Sequence, residues 1–403
     1  MSAGTISVAL LAFAGALHLL FGGVLATTAA DEMQIALVAF VQFSEVSADS
    51  WLLGSVIASR RDDRADEEVL RSLSILSAPV QSRSEAIPGD LAPGAPSLFQ
   101  QPWWLDALAP GDWDAVEVVE NGETVGRLPF VRLRRAGLTV LGQPPLTQFL
   151  GPWVKPGIGE ADDRPDREDE ILGGLIEALP PHDLFFQACQ YSMTDCHAFH
   201  RRGFSHSNQY TYVIDQLDDH DRIWAGLREN IRREIRKAQR HVAVRSLEDI
   251  ETLIALHRMT YERQGMSPKV SEDAIRRLDA ACAARSARRM FVAEGADGAP
   301  HAVLYLVWDR ASAYYLMGGS DPSLRNSGAM SLLMWEAIKF AGEVTRRFDF
   351  EGSMLRPVER FFRAFGGRQV AYPRLARGRT LRGQVALLAY DLLAARKRLR
   401  ANG

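Results

Sequence analysis

The stretch from residue 314 to residue 367 constrains the fold of this 403-residue chain more than any other. It opens with an apolar run of strand length, passes through a polar loop that contains glycine, and then shows the apolar periodicity of a helix. A short run with two acidic residues follows, and a second helical pattern completes the stretch. This order predicts a strand–loop–helix–strand–helix unit that the rest of the chain supports.

The short second strand of this unit carries Asp349 and Glu351. Because side chains alternate along a strand, we expect both carboxylates on one face and Phe348 and Phe350 on the other. Two acids beside an anion-binding turn are suited to orient or deprotonate an amine, so both are candidate catalytic residues. The alternative is that one of them only pairs with an arginine of the following helix.

The loop between the first strand and the first helix of the unit has the features of an anion-binding turn. Free N–H groups at a helix N-terminus and the helix dipole attract phosphate, and glycine lets a ligand approach the backbone closely. We therefore predict that this turn binds phosphate or another anion. Its candidate residues are Gly318, Gly319, Ser320, Arg325, Ser327 and Gly328.

The composition excludes several classes of protein. Hydrophobic residues make up 47% and charged residues 24% of the chain, the profile of an ordinary globular protein. The formal net charge of -3 provides no global basic field, so we predict no DNA partner. The three cysteines include no C-x-x-C pair, which favours a reduced, cytoplasmic setting. The nine histidines form no metal-binding spacing, so we predict no metal.

Residues 1–96 form a separate N-terminal extension. Residues 6–30 are apolar and long enough to span a bilayer, but no Lys or Arg precedes them, as it would in a signal peptide or a positive-inside anchor. Three explanations stay open: an anchor that makes the protein membrane-associated, a small helical extension, or a translated upstream region outside the working fold. Prolines and glycines between residues 88 and 96 mark a flexible linker.

Residues 97–215 form the first predicted lobe. A short helix is followed by two strand-like runs around Asn121-Gly122, the strongest short-range signal for a hairpin, and by a third strand. The loop of residues 143–152 mixes proline, aromatic and amide groups, so it is either the wall of a pocket or a rigid surface turn. Helix, strand, helix and strand complete the lobe.

Residues 216–380 form the second predicted lobe, which repeats the order of elements of the first. Its opening helix, predicted over residues 222–240, has an apolar stripe and a face crowded with Arg and Lys. That face is either simply solvated or a docking surface for phosphate groups. Residues 381–403 form a C-terminal basic helix that we expect to pack on the second lobe, with membrane-surface contact as the alternative.

Several segments in these two lobes follow one another in a distinctive order. They are Thr147–Pro152, Asn230–Ala238, Gly318–Ser320, Ser327–Ile338, Phe348–Ser353 and Arg360–Gly367. Their order and spacing resemble the GNAT-like acyltransferases of the Fem type, over residues 97–380. That family includes bacterial aminoacyltransferases and N-acyltransferases linked to exopolysaccharide or cell-envelope synthesis. The chain keeps the first glycine of the family's pyrophosphate loop, Gly328, and has Met330 in the last place.

The resemblance implies a fold and a reaction. The fold would be α+β, with two tandem GNAT-like lobes, each a mixed and mostly antiparallel sheet flanked by helices. The reaction would move an acyl or aminoacyl group from acyl-CoA, such as acetyl-CoA, or from aminoacyl-tRNA to an acceptor amine, without a metal. The anion-binding turn would hold the donor, and a groove between the lobes would hold the acceptor. The acceptor-binding candidates are Gln148, Arg233, Lys237 and Arg360.

For this reaction we expect direct attack of the amine on an activated acyl carbonyl. Backbone N–H groups of residues 317–320 would stabilise the oxyanion, and Asp349 or Glu351 would hold the amine. Tyr314 or Tyr315 would protonate the leaving group, and Tyr315 is the candidate that we retain. Two other classes stay open as alternatives: a catalytically inactive binding protein with the same fold, and a membrane-tethered adaptor in which residues 6–30 are the working part.

Overall fold

The computed structural model describes residues 92, 94–158, 164–268, 270–352 and 356–402. Nearly all of the predicted extension 1–96, including the apolar segment 6–30, lies outside these residues, so the interpretations of it stay predictions. Within the described residues, no helix is both long enough and apolar enough to cross a membrane.

Ten α-helices and twelve strands are present in the described residues. The helices are α1 Pro102–Leu108, α2 Arg164–Glu177, α3 His197–Arg201, α4 His220–Gly226, α5 Glu229–Ala238, α6 Ile250–Arg263, α7 Glu272–Ala283, α8 Ala329–Val344, α9 Arg356–Arg363 and α10 Leu381–Asn402. The strands are β1 Trp113–Glu120, β2 Glu123–Arg135, β3 Leu138–Gly142, β4 Trp153–Val154, β5 Leu184–Ala188, β6 Ser205–Asp215, β7 Val242–Leu247, β8 Arg288–Gly295, β9 Pro300–Trp308, β10 Ala313–Ser320, β11 Arg347–Asp349 and β12 Arg368–Gly378.

Local sequence sets several of these boundaries. Asn121 and Gly122, with φ of 51° and 81°, both take the left-handed conformation that a tight hairpin between β1 and β2 requires. Asp249 caps α6 by accepting hydrogen bonds from the second and third residues after it, and Ser271 caps α7 by accepting one from the N–H of Ala274. Turn and capping residues therefore set where these elements begin.

The twelve strands form one sheet in the order β1-β2-β3-β5-β12-β6-β11-β10-β9-β8-β7, and β4 pairs with β2. Within the described residues, the β3–β5 and β10–β11 pairs are parallel and the other pairs are antiparallel. Apolar clusters that contain helix residues lie on both faces of the sheet. The predicted fold class, a mostly antiparallel mixed sheet flanked by helices, is confirmed.

The two halves of this sheet exchange their last strands. β6, the last strand of the first predicted lobe, pairs with β11 of the second, and β12, the last strand of the second, pairs with β5 of the first. β6 and β12 also pair with each other over nine residue positions at the centre of the sheet. The two predicted lobes fit this arrangement as halves joined by continuous hydrogen bonding.

The helix predicted over residues 222–240 is instead two helices, α4 and α5. The chain is extended at Leu227 and Arg228, where ψ is 141° and 148°. Burial of Leu227 and a hydrogen bond from the N–H of Arg228 to the carbonyl of Ala364 hold the chain in this conformation. Arg232 then donates to two carbonyl groups at the end of α4. Tertiary contacts thus override a helical periodicity that runs through the break.

The C-terminal helix α10 packs on β12 of the second predicted lobe, as expected, and also on β3 and β5 of the first. Ala386 and Leu387 contact the apolar cluster that β3 and β5 form on this face. At the start of the helix, Thr380 donates through Oγ1 to Asp183 Oδ1 over 2.7 Å. The strand exchange explains this position, because β12 delivers the chain to β5.

Candidate active site

The parallel strands β10 and β11 separate after a short paired section. Ala313 and Tyr314 pair with β11, which ends at Asp349, whereas β10 continues to Ser320. The chain leaves β11 through Gly352, which has φ of 69°. A Cβ atom there would lie 2.1 Å from the carbonyl oxygen of Tyr210, so only glycine fits. A wedge-shaped gap results, and the edge of β10 that faces it has no neighbouring strand in the described structure.

Asp349 lies at the point where the two strands separate, and its side chain is fully buried. Its Oδ1 accepts hydrogen bonds from Thr211 Oγ1 at 2.5 Å, from the N–H of Glu351 at 2.8 Å and from Gln148 Nε2 at 3.3 Å. Its Oδ2 has no hydrogen-bond partner in the described residues. Burial outweighs the three donors and raises the pKa of Asp349 to about 6. This carboxyl group therefore titrates close to neutral pH.

Glu351 lies beyond the end of β11, so the expectation that strand alternation places it is wrong. Its φ of 57° is in the left-handed region, which is uncommon for a residue with a side chain and is concentrated at functional sites. Its Oε1 is buried without a hydrogen-bond partner in the described part of the chain. Burial and the nearby Asp349 together raise the pKa of Glu351 well above its ordinary value. The backbone turn, not the strand, brings the two carboxyl groups together.

The two tyrosines of β10 have different surroundings. Tyr314 is buried, and its hydroxyl lies 3.4 Å from Asp309 Oδ2, so it belongs to the core. Tyr315 lies on the other face of the sheet, against Phe362 of α9. A Cβ atom on Gly318 would lie 2.7 Å from the Tyr315 hydroxyl, so that hydroxyl lies over Gly318, near the end of β10. Tyr315 is thus the tyrosine that lies beside the part of β10 that borders the gap.

Charge near Tyr315 supports this position. Burial raises its pKa, and the nearby Tyr261 and Glu351 raise it further, so the phenol keeps its proton at neutral pH. Asp349 and Tyr315 therefore approach the gap from opposite faces of the sheet, with Glu351 at the end of the shorter strand. The three predicted catalytic residues lie around one gap.

Gln148 from the first lobe also reaches this site. Its side chain is buried, and it contacts Asp349 across 201 residues of sequence. The next residue, Phe149, is buried against Tyr314 and Tyr372. The loop of residues 143–152 is therefore a wall of the site, and its interpretation as a surface turn is wrong.

Two residues of the site have no signal in the local sequence. Thr211 on β6 makes the shortest hydrogen bond to Asp349. Tyr372 on β12 has its pKa raised by burial and by the nearby Asp349 and Glu351. Both come from the exchanged strands, which lie next to the site only because the two halves of the sheet trade their ends. A threonine and a tyrosine in ordinary strand patterns do not indicate this position.

The turn before α8 carries free backbone donors. Gly328 precedes the helix with φ of 81°, and Ser327 Oγ accepts from the N–H of Ala329. In the described residues, the N–H groups of Met330 and Ser331 donate to no protein atom. A Cβ atom on Gly328 would lie 2.5 Å from a backbone oxygen of α5, so glycine is required here for packing as well as for conformation. This geometry suits an anion.

The Gly318-Gly319-Ser320 segment packs more closely against neighbouring parts of the protein than the sequence predicts. A Cβ atom on Gly319 would lie 2.3 Å from the backbone of Leu256, because α6 crosses β10 at this point. The N–H of Ser320 donates to Thr260 Oγ1 at 3.1 Å, so the expectation that it is a free oxyanion donor is wrong. Gly318, beside Tyr315, is the residue of this segment that lies at the gap.

The basic candidates lie apart from the acids. Lys237 donates to the carbonyl of Asn326 in the turn before α8, and Arg233 is exposed one helical turn earlier on α5. Arg325 is exposed in the same turn, and Arg360 is exposed on α9. Lys237 thus lies beside the turn that precedes α8.

In the described structure neither acid of the gap pairs with an arginine of α9, where Arg363 instead lies 3.5 Å from Glu359. The alternative that Asp349 or Glu351 only forms such a pair is therefore wrong. Among the described residues, no group of three or more His, Cys, Asp and Glu side chains could hold a metal ion.

Part of the chain matches a family model, and much of the chain aligns with solved structures of known proteins. Residues 225–363 match the family model described as the acetyltransferase (GNAT) domain. The crystal structure of FemX aligns with a TM-score of 0.52 and 14% identity, over 70% of this chain and 93% of that chain. The structure of L-PGS from Bacillus licheniformis aligns with a TM-score of 0.43 and 13% identity, over 76% of this chain and 98% of that chain. No curated protein matches the chain significantly.

The match to the acetyltransferase (GNAT) domain lies within the second predicted lobe and includes Tyr315, Asp349 and Glu351. FemX shares the fold over most of both chains. The resemblance to the Fem-type, GNAT-like acyltransferases is thereby confirmed at the level of the fold.

Proposed function

We propose that this protein transfers an acyl group from acyl-CoA to a primary amine in the gap between β10 and β11. The observation that carries the proposal is the pair of buried oxygens Asp349 Oδ2 and Glu351 Oε1, which have no donor within the described structure. Buried acceptors are nearly always paired, because leaving one unpaired costs about 1–3 kcal/mol. Gln148 Oε1, from the first lobe, is a third such atom. The N–H groups of a substrate amine would satisfy these oxygens.

Asp349 is the general base in this proposal. With a pKa of about 6, the carboxyl group is mostly ionised at neutral pH. The pKa is also close enough to neutral pH for the group to accept a proton efficiently. Thr211 and Gln148 fix the carboxyl group through Oδ1 and leave Oδ2 for the substrate. Glu351, whose pKa is raised further, orients the amine by hydrogen bonding.

The donor lies on the opposite face of the sheet. The free N–H groups of Met330 and Ser331 would bind the phosphates of acyl-CoA, with Arg325 and Lys237 supplying positive charge. Glu234 is an acid close to this turn. Its Oε2 lies 4.0 Å from Lys237 Nζ, which compensates the negative charge. The turn therefore keeps a net attraction for phosphate.

The reaction then takes place through the gap. The amine nitrogen bonds to the thioester carbonyl carbon, and its proton passes to Asp349. Backbone N–H groups on the free edge of β10 stabilise the oxyanion. The carbon–sulfur bond breaks, and Tyr315 donates its phenolic proton to the departing thiolate. Because the amine and the thioester approach from opposite faces of the sheet, they stay apart until they meet between the strands.

The resemblance extends the proposal to acceptors of cell-envelope or exopolysaccharide metabolism. The test is incubation of the full chain with acetyl-CoA, longer acyl-CoA thioesters or aminoacyl-tRNA, each against amino sugars, lysine-containing peptides and aminolipids. Thiol release and mass spectrometry of the amine report turnover. We expect amide product and free CoA.

Variants separate this proposal from its rivals. Asp349→Asn combined with Glu351→Gln should abolish turnover while thermal unfolding stays cooperative, and Asp183→Asn is the matched control because it changes another buried carboxylate far from the gap. Full activity in the double variant would contradict the assigned roles. Product from aminoacyl-tRNA alone would replace the donor, and substrate binding without product from any donor would favour an inactive binding protein.

A further inference from the structure

The exposed apolar side chains of the described structure are concentrated on α10. Of six large apolar residues that are strongly exposed, four lie on this helix. They are Leu381, Val385, Leu388 and Leu392, exposed by 74%, 43%, 50% and 53%. Their spacing of four, three and four residues places them in one stripe along one side of the helix.

The opposite side of α10 is already packed. Ala389 is buried, and Tyr390 stacks on Phe186 of β5 and on the guanidinium of Arg374. Gly383 lies so close to Asp183 that a Cβ atom would meet its carbonyl oxygen at 1.9 Å. The helix is therefore fixed on the sheet with its stripe facing outwards. A helix that is apolar on two sides normally has both of them covered.

Basic residues precede and follow the stripe in the sequence. Residues 379–403 contain six basic residues and one acid, Asp391, although the chain as a whole has a net charge of -3. Arg379 and Arg382 are exposed at the start of the helix. The last turns of the helix carry Arg396, Lys397, Arg398 and Arg400 in the sequence. The apolar stripe is thus bounded at both ends by cationic residues.

We propose that α10 docks this protein onto the surface of an anionic lipid bilayer. The helix would lie in the plane of the interface, with the four apolar side chains among the acyl chains and the basic residues against the headgroups. A second copy of the chain is a poorer occupant, because pairing two such helices would bring two basic ends together. The helix would contact the bilayer from one side and would not span it.

The face of the sheet on which α10 packs is also the face on which the side chain of Asp349 lies. Tyr372 and Arg374 lie two residues apart on β12, so their side chains are on the same side of the sheet. Tyr372 lies near Asp349 and Glu351, and Arg374 donates to Tyr390 of α10. Docking through α10 would therefore direct the Asp349 side of the sheet towards the lipid.

The test is co-sedimentation of the full chain with vesicles of phosphatidylcholine, with and without phosphatidylglycerol. We expect binding that requires phosphatidylglycerol and weakens in high salt. Leu388→Glu combined with Leu392→Glu should reduce the bound fraction about tenfold or more, because it places two charges in the apolar stripe. Val119→Glu is the matched control, since Val119 is 57% exposed on β1 and lies outside α10.

Three outcomes would overturn the proposal. One is vesicle binding by the double variant equal to that of the wild type and of the Val119 variant. Another is a change of oligomeric state on light scattering when the double substitution is made without lipid, which would assign the stripe to a second copy. The third is a lower thermal midpoint of the double variant without lipid, which would assign the stripe to residues 1–91 of the same chain.

Discussion

The two halves of the sheet contain the same strand gap and fill it differently. In the first lobe, β3 and β5 pair in parallel over only two positions, as β10 and β11 do in the second. Beyond them Gln143 Oε1 accepts from the N–H of Ala188 at 2.6 Å, and Gln187 Nε2 donates to the carbonyl groups of Pro129 and Gly142. Amide side chains thus bridge the first gap, although Gln187 Oε1 has no partner in the described residues, whereas two carboxyl groups with unpaired oxygens border the second.

This difference shows how one architecture supports two roles. A glutamine amide carries donors and an acceptor, so it can hydrogen-bond both edges of a gap without titrating. A buried carboxyl group has acceptors only when it is ionised, so it stays unsatisfied until a donor arrives. In the proposed function, the first lobe uses its gap for stability and supplies Gln148 to the site, while the second lobe keeps its gap for chemistry.

The largest effect that we predict concerns the acid of the second gap. Asp349→Asn removes the proposed base and keeps its shape, so kcat should fall by about 10²–10⁴-fold. Asp183→Asn, in the first lobe, should leave kcat nearly unchanged. In the wild type, kcat/KM should decline about tenfold per pH unit below the Asp349 pKa of about 6. Steady-state kinetics over pH measures all three, and equal kcat losses in the two variants would remove the contrast between the lobes.

The next effect concerns the helix that covers only the second gap. Gly319→Ala places a methyl group 2.3 Å from the backbone of Leu256, so it should cost about 3 kcal/mol or more of the free energy of unfolding. Gly142→Ala, at the end of β3, meets its nearest atoms at 3.4 Å and 3.5 Å and should cost less than about 1 kcal/mol. Denaturant unfolding of both variants tests this, and similar losses would show that α6 does not pack as closely as the structure has it.

A third effect is an opposite pH dependence of stability in the two lobes. The pKa of Asp349 is about 6 in the folded state and about 3.9 in an unfolded chain, so its protonated form stabilises the fold. That stabilisation is complete below about pH 4 and lost as the pH rises through 6, by about 3 kcal/mol at most. Asp349→Asn should therefore gain stability relative to wild type between pH 4 and pH 7.5.

Asp183 should behave in the opposite way. Burial alone would raise its pKa, but hydrogen bonds from the N–H of Thr139 and from Thr380 lower the pKa below its ordinary value. Its ionised form thus stabilises the fold above the ordinary pKa, and this contribution is lost as the pH falls. Asp183→Asn should cost more stability at pH 7.5 than at pH 3. Parallel pH trends in the two variants would contradict the assignment of one carboxyl group to structure and the other to function.

The smallest effect distinguishes two glutamines of one loop. Gln143→Ala removes the bridge across the first gap and should cost about 1–2 kcal/mol of stability with little change in kcat. Gln148→Ala removes a proposed amine contact and should raise KM for the amine about tenfold, with a smaller loss of stability. Chemical denaturation and amine-dependent kinetics of both variants are the measurements. A reversed pattern would assign the structural role to Gln148.

Much of this protein follows from its sequence, because the signals are local. The Asn121-Gly122 hairpin, the caps of α6 and α7, and the strand–loop–helix unit that contains Asp349 and Tyr315 each depend on residues a few positions apart. The break between α4 and α5 was not predictable in this way, since burial of Leu227 and a contact with Ala364 produce it.

Only the tertiary structure decided the surroundings of the acid. Thr211 and Gln148 reach Asp349 from 138 and 201 residues away, and Tyr372 arrives on an exchanged strand. Periodicity and turn residues determine elements and their order, because those depend on short-range sterics and amphipathicity. The pairing of β6 with β12, and with it the complete site, depends on how two whole half-sheets share their edges, which no local pattern encodes.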